Sequence, residues 1–292
     1  MTAYPNAEGP ESKPVAPGLY LVATPIGNAR DLGLRALDVL RAAQVIACED
    51  SRVSGKLLSL YGIKSTLIPY HDHNAARVRP KLLERLARGE IVALISDAGT
   101  PLISDPGQKL VRDCRAAGLP VTTVPGASSV LAALTLSGLP ADRFMFAGFL
   151  PPKTVARKAT LADLAPIPAT LVILESPKRL AASLADMAEM LGDREACVAR
   201  ELTKMFEELR NGSLPELADH YAEHGPPKGE VVVVVAPPDA KPALDPAALA
   251  DRLRAVLAEN SLRDAVAQVV AETGLPRKQV YAQALAVVKD AD

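Results

Sequence analysis

Five polar segments of this chain carry side chains able to move a proton or hold a ligand. Glu49-Asp50-Ser51-Arg52 places two carboxylates beside a guanidinium, and His71-Asp72-His73-Asn74 is the densest polar cluster. Carboxylates and imidazoles are the common proton acceptors of transfer chemistry, but acidic side chains ahead of a helix also serve as plain N-caps. The His-x-His spacing raises the question of a metal. No third and fourth ligand is spaced to join it, and a polar surface turn fits the same residues, so no metal is expected.

The other three segments are Ala23-Thr24-Pro25-Ile26-Gly27-Asn28, the long run from Ile95 through Asp97, Gly99, Pro101 and Asp105 to Gly107, and Val124-Pro125-Gly126-Ala127-Ser128-Ser129. The long run lacks the glycine spacing of dinucleotide and nucleoside triphosphate loops, which argues against those ligands. Gly99 gives room for close backbone approach, and Asp105-Pro106 predicts an N-cap and first turn for a helix over 106–117.

These segments must sit on something rigid. Short β-branched runs at 19–23, 45–48, 66–68, 91–95 and 121–124 alternate with amphipathic helical patterns, the signature of an α/β domain with a largely parallel sheet. Each polar segment then falls at a strand's carboxyl end, where open α/β sheets bind ligands. A helix over 128–137 follows. Gly148-Phe149-Leu150-Pro151-Pro152-Lys153 reads as a linker, because consecutive prolines reject both helix and central strand.

The expected organisation is a floppy leader at 1–17, an N-terminal α/β domain at 18–148, a second α/β domain at 149–238 and a helical tail at 239–292. In the second domain, strands are expected at 170–174, near 196–201, and at 230–236. The tail reads as three short helices at 247–258, 261–272 and 277–288, divided at Gly274-Leu275-Pro276. With no strong basic stripe, that tail reads as a helical cap more readily than as a DNA-reading helix-turn-helix.

Composition bounds the partners. At 292 residues and 49% hydrophobic, the chain can bury substantial cores, as one large domain or two ordinary ones. A net charge of −1 means that any nucleic-acid site must be a local patch, and 3% aromatic residues argue against a base-stacking platform. Cys48, Cys114 and Cys197 lack metal-ligand spacing and fit buried free thiols in a reducing compartment. The leader has no apolar run of signal-peptide type, and nothing approaches the roughly 18 apolar residues of a membrane span, so a cytoplasmic protein is expected.

The ordered set of the segments at 23–28, 49–52, 71–74, 96–107 and Gly148-Phe149-Leu150-Pro151 resembles the small-subunit ribosomal RNA methyltransferases of the tetrapyrrole methylase class, over about residues 18–288. Arg200-Glu201-Leu202-Thr203-Lys204 and Lys228-Gly229-Glu230 add matches. The resemblance implies two α/β domains with S-adenosylmethionine in the cleft between them, usually as a homodimer. It also implies 2′-O-methylation of a cytidine ribose near the decoding centre, with ribosomal RNA or the 30S subunit as partner. It places Asp97, Ala98, Gly99, Thr100, Ile103, Leu134, Thr135, Glu175 and Leu202 at the donor.

A ribose hydroxyl needs a proton acceptor during attack, and the pairs Glu49/Asp50 and His71/Asp72 are the unranked candidates. Thr24, Pro25, Asn28, Arg52, Lys153 and Arg179 are expected to bind substrate, with Arg77, Arg79, Arg157, Lys158 and Lys178 as further phosphate contacts. Two other functions fit. Pro125-Gly126-Ala127-Ser128-Ser129 resembles relatives that methylate carbon atoms of tetrapyrroles, and a non-catalytic RNA-binding assembly module could keep a vestigial ligand loop.

Overall fold

A computed structural model describes residues 14–239, 246–273 and 275–289. Most of the expected leader (1–13), part of the linker before the tail (240–245) and the expected helix stop at Gly274 lie outside the described residues. The chain divides into two units after Pro238.

The first unit holds two sheets. Strands β1 (Gly18–Val22), β2 (Val45–Cys48), β3 (Thr66–Pro69), β4 (Ile91–Ile95) and β5 (Val121–Val124) form a parallel sheet in the order β3-β2-β4-β1-β5. They are followed in turn by helices α1 (Leu34–Ala42), α2 (Ser51–Leu60), α3 (Ala75–Ala87), α4 (Gln108–Ala116) and α5 (Ser129–Ser137). Ile91, Ala93 and Ile95 of β4 pack with α1 and α2, whereas Val92 and Leu94 pack with α3 and α4. A strand buried on both faces has no polar side, so its sequence is unbroken apolar. Because every strand runs the same way, all five carboxyl ends and their polar loops lie along one edge.

The second sheet contains β6 (Phe144–Phe149), β7 (Thr170–Glu175), β8 (Glu195–Arg200), β9 (Glu208–Ser213) and β10 (Val231–Val235), in the order β6-β7-β10-β8-β9. It is antiparallel except for β6 with β7. Helices α6 (Thr154–Leu164), α7 (Leu180–Leu191) and α8 (Leu214–His224) cover one face. The other face is covered by α5, whose Val130, Ala133 and Leu134 meet Val172, Cys197, Val232 and Val234. The five valines of β10 thus alternate between two cores, Val231, Val233 and Val235 in one and Val232 and Val234 in the other.

Two strands depart from the sequence reading. β6 runs through Gly148 and Phe149, which were expected to be linker, so the passage from first sheet to second falls earlier, between α5 and Phe144. As an edge strand, β6 pairs only with β7 and tolerates Pro151-Pro152 directly beyond its end. β9 is a polar edge strand, Glu208 to Ser213, paired only with β8; with little apolar surface to bury, it carries no hydrophobic alternation to read. α4 also starts later than expected, at Gln108 with Gly107 in the N-cap position, so Asp105 and Pro106 do not begin it.

The second unit is a bundle of α9 (Pro246–Leu257), α10 (Leu262–Thr273) and α11 (Arg277–Lys289) around its own core of Leu253, Val256, Val266, Val269, Val280 and Ala284. Among the described residues, no helix is long and apolar enough to cross a membrane.

Candidate active site

The carboxyl-edge loops are stitched to one another. Thr24 and Gly99 exchange backbone hydrogen bonds of 2.9 and 3.0 Å, and the Thr24 hydroxyl donates to the Ser96 carbonyl at 3.1 Å. Gly99 has φ +83°, and a Cβ there would stand 3.3 Å from Ile26 Cγ2, so the position suits glycine on both counts. The Thr100 hydroxyl donates to the Ala127 carbonyl at 3.1 Å, adding the loop after β5. The amide of Asn28 donates to Thr203 Oγ1 at 3.0 Å, joining the first sheet's loops to the turn after β8.

These ties enclose a cavity of about 400 Å³ between the two sheets, within the roughly 300–1,000 Å³ of small-molecule pockets. Asp97, Ala98, Gly99, Thr100 and Ile103 line it from the first sheet; Glu175 and Leu202 line it from the second. The hydroxyls of Ser104, Ser128, Ser129 and Ser176 add polar wall, and Ile26, Val130, Phe149 and Leu174 add apolar wall. Leu134 and Thr135 do not line it. Leu134 is buried in the core between α5 and the second sheet, and the exposed Thr135 donates its hydroxyl to the Leu131 carbonyl at 2.9 Å.

The expected proton acceptors separate by environment. Asp50 caps α2, accepts from the Arg52 amide at 2.8 Å and pairs with the Arg52 guanidinium at 2.6 Å. These bonds hold its carboxyl down at about 2, too weak a base for the task. Glu49 shifts the other way, raised first by burial and then by the charges of Asp97 and Asp72. His71 is tied to Asn74, whose side-chain amide lies 3.2 Å from its Nε2, while its Nδ1 is buried without a partner; Asp72 is exposed. None of these four residues lines the cavity, although Glu49 lies near enough to Asp97 and Asp105 for their charges to interact.

Sequence reasoning missed two of the four carboxylates that line it, Asp105 and Glu230. Asp105 had a ready explanation as a helix cap, yet it faces the cavity half-buried, and burial followed by the charges of Glu49 and Asp97 raises its carboxyl to about 6. The available signal was its place on the same β4 loop as Asp97 and Gly99.

Several expected substrate contacts are committed elsewhere. Thr24 and Pro25 are buried beneath the loops, with the Thr24 hydroxyl used internally, so neither is presented to a substrate. Asn28 is exposed but caps a short 3-10 turn, its Oδ1 accepting from the Arg30 amide. Arg179 pairs with Glu175 at 2.6 Å and donates to the Leu150 carbonyl. Arg157 is buried on Asp186 at 2.6 Å, Arg79 pairs with Asp113 at 2.8 Å, and Lys158 pairs with Glu189 at 2.5 Å. Arg52 is exposed but paired with Asp50, whereas Arg77, Lys153 and Lys178 are exposed. Among the described residues, no group of three or more His, Cys, Asp or Glu side chains could hold a metal ion.

A parallel α/β half is thus joined to a mixed α/β half, with a cavity lined from both. A family model described as Tetrapyrrole (Corrin/Porphyrin) Methylases matches residues 18–218, and one described as RsmI C-terminal HTH domain matches residues 243–287. The chain belongs to the tetrapyrrole methylase family, and within it to the ribosomal RNA small subunit methyltransferase I proteins.

It is 51% identical over 275 residues to the ribosomal RNA small subunit methyltransferase I of Mesorhizobium japonicum, covering 94% of this chain and 93% of that relative. The protein of that name from Erythrobacter litoralis is 52% identical, with 94% and 96% covered. Among solved structures, a uroporphyrin-III C-methyltransferase from Thermus thermophilus matches with a TM-score of 0.55 and 25% identity, over 75% of this chain and 93% of that one. The helix-turn-helix description of the tail goes against the sequence reading, which preferred a helical cap to a helix-turn-helix.

Proposed function

We propose that this protein transfers the methyl group of S-adenosylmethionine to the 2′-hydroxyl of a cytidine ribose in small-subunit ribosomal RNA, in the cytoplasm and as a homodimer. The observation that carries the reading is the cavity at the carboxyl edge of β4, whose walls come from both sheets. The residues present fit such a donor. Gly99 leaves a cradle that a side chain would narrow, and Glu175 Oε2 is a buried acceptor without a partner, suited to an N–H or O–H of a ligand. Ala98, Gly99, Thr100 and Ile103 would hold the donor from one side, and Glu175 and Leu202 from the other.

When bound, the donor supplies an activated methyl carbon on a positively charged sulfur. The protein's own work is then positioning and electrostatics. The stitched loops would fix the cradle before the substrate arrives, with Ile26, Val130 and Phe149 as its apolar wall. RNA phosphates would meet exposed cations such as Arg77, Lys153 and Lys178.

The test supplies labelled donor with 30S subunits, naked small-subunit RNA and a uroporphyrinogen-like substrate in parallel, and maps the product by mass spectrometry. Label on a cytidine ribose is expected. Label on the tetrapyrrole would replace this reading with carbon methylation, and RNA binding without donor binding would replace it with the assembly module.

A further inference from the structure

We propose that Phe149 is the stacking platform for the nucleobase of the acceptor nucleotide, and that its ring sets the position from which the ribose hydroxyl enters the cavity. The inference rests on the methyl-transfer reading above and deepens it by naming the group that holds the RNA side of the reaction. Phe149 lines the cavity and is still 57% exposed, and among the described residues it is the only aromatic one in the cavity wall. Four phenylalanines and no tryptophan in the whole chain leave no material for an extended platform. A single ring is what one splayed-out base requires.

The backbone of β6 turns this ring toward the cavity. Phe146 pairs with Val172, Gly148 with Ile173 and Phe149 with Leu174, so Ala147 is an extra residue in the strand. Val172 and Leu174 belong to the face that meets α5, whereas Leu171 and Ile173 belong to the face under α6 and α7. In an unbroken register Gly148 would stand across from Leu174, and Phe149 would fall one place further on, on the face under α6 and α7. The bulge moves it to the cavity's face, as bulges beside active sites re-aim side chains. Gly148 carries the φ of +67° at the bulge, and a Cβ there would meet only Ser104 Oγ, at 3.7 Å. Glycine is therefore kept for backbone shape and not for room.

The chain behind the ring is braced. Leu150 is buried in the core under α6 and α7. Arg179, paired with Glu175, donates to the Leu150 carbonyl at 3.2 Å, and Arg157, paired with Asp186, donates to the carbonyls of Pro151 at 3.5 Å and Pro152 at 3.2 Å. A large apolar side chain held this firmly at a cavity mouth, and left in water by the free protein, marks a contact for something that arrives from solution. The mouth is the part of the cavity that a polymer can reach, which assigns the ring to the acceptor. The 2′-hydroxyl sits on the carbon next to the one that carries the base, so fixing the plane of the base fixes the hydroxyl's approach. Lys153 and Lys178, both exposed, follow the ends of the parallel neighbours β6 and β7, on the same edge as the ring, where the flanking phosphates would pass.

The experiment compares Phe149→Ala, Phe149→Leu, Phe149→Tyr and Phe149→Trp in the full-length protein. In methylation of 30S subunits at saturating donor, Ala and Leu should lose about 5- to 150-fold in kcat/KM, the range of one base–aromatic stack. Tyr and Trp keep a ring face and should stay within about threefold of wild type. Calorimetry should give all four variants the wild-type affinity for S-adenosylmethionine, which also shows that they are folded, and sedimentation should give them the wild-type oligomeric state.

An alanine variant as active as wild type would overturn the assignment. So would a leucine variant as active as the tyrosine one, because bulk and not a ring face would then be what the site uses. A loss of donor binding that parallels the loss of rate would make the ring part of the donor's wall, and an alanine variant that dissociates would make it a contact between copies of the chain; either result overturns the proposal. A wild-type protein that labels no ribose would instead remove the underlying reading.

Discussion

Replacing Asp105 by Asn should stabilise the protein at alkaline pH and leave it unchanged in acid. The carboxyl is raised from 3.8 to about 6 in the folded chain, while the unfolded chain keeps the ordinary value. A shift of about two units is worth ~3 kcal/mol at 1.36 kcal/mol per unit. Because the group is only about half buried, solvent screening reduces this ceiling to ~1–1.5 kcal/mol. The sign follows from proton binding. Below pH 4 both states hold the proton, so nothing is lost; as pH rises from 4 to 6, the unfolded chain releases it first, and above 6 the folded state bears the full cost of the charge.

Asn is a neutral group of the same shape and never bears that cost. Urea unfolding of wild type and variant, followed by circular dichroism at pH 4 and pH 8, should give equal m-values and a higher midpoint for Asn only at pH 8. An Asn variant no more stable than wild type at pH 8, or a difference independent of pH, would refute the account in which burial and neighbouring charges raise this carboxyl.

Arg157→Met should cost ~3–5 kcal/mol by leaving Asp186 buried without its main partner, the lower end being favoured by Lys158 at 3.8 Å. Adding Asp186→Leu should recover most of that loss in urea titrations, and no recovery would mean the pair is not the cause. Gly99→Ala should weaken S-adenosylmethionine binding about tenfold or more by calorimetry, since φ +83° and the Ile26 contact resist a side chain with a strain of order 1–3 kcal/mol. Cys48, Cys114 and Cys197 are all free and buried, and burial raises each thiol, Cys114 and Cys197 to about 11. A thiol reagent should therefore leave them unmodified until denaturant is added; rapid labelling of the native chain would contradict that burial.

What the sequence by itself determined is whatever is written in local, repeating terms. The apolar runs of β1, β2, β4, β5, β7 and β10 announce strands because each is buried on at least one face, and alternation with amphipathic helices announces a parallel sheet with polar loops along one edge. The loop motifs, read together, were enough for the family, and the run Asp97 to Thr100 could be placed at a strand's carboxyl end, where it lines the cavity, because its position after a buried strand requires no long-range information.

Only the tertiary structure decided the rest, because charge and pairing depend on neighbours far away in the chain. β6 and β9 are edge strands with one partner each, so neither had to be apolar enough to be seen. Arg157 and Arg179 look like phosphate ligands until Asp186 and Glu175 are found beside them. Asp50 and Asp105 are the same residue type in similar loops. One is tied to a guanidinium two residues away and held acidic; the other is raised first by burial and then by two carboxylates from different strands, a distinction that exists only once the sheet has brought those strand ends together.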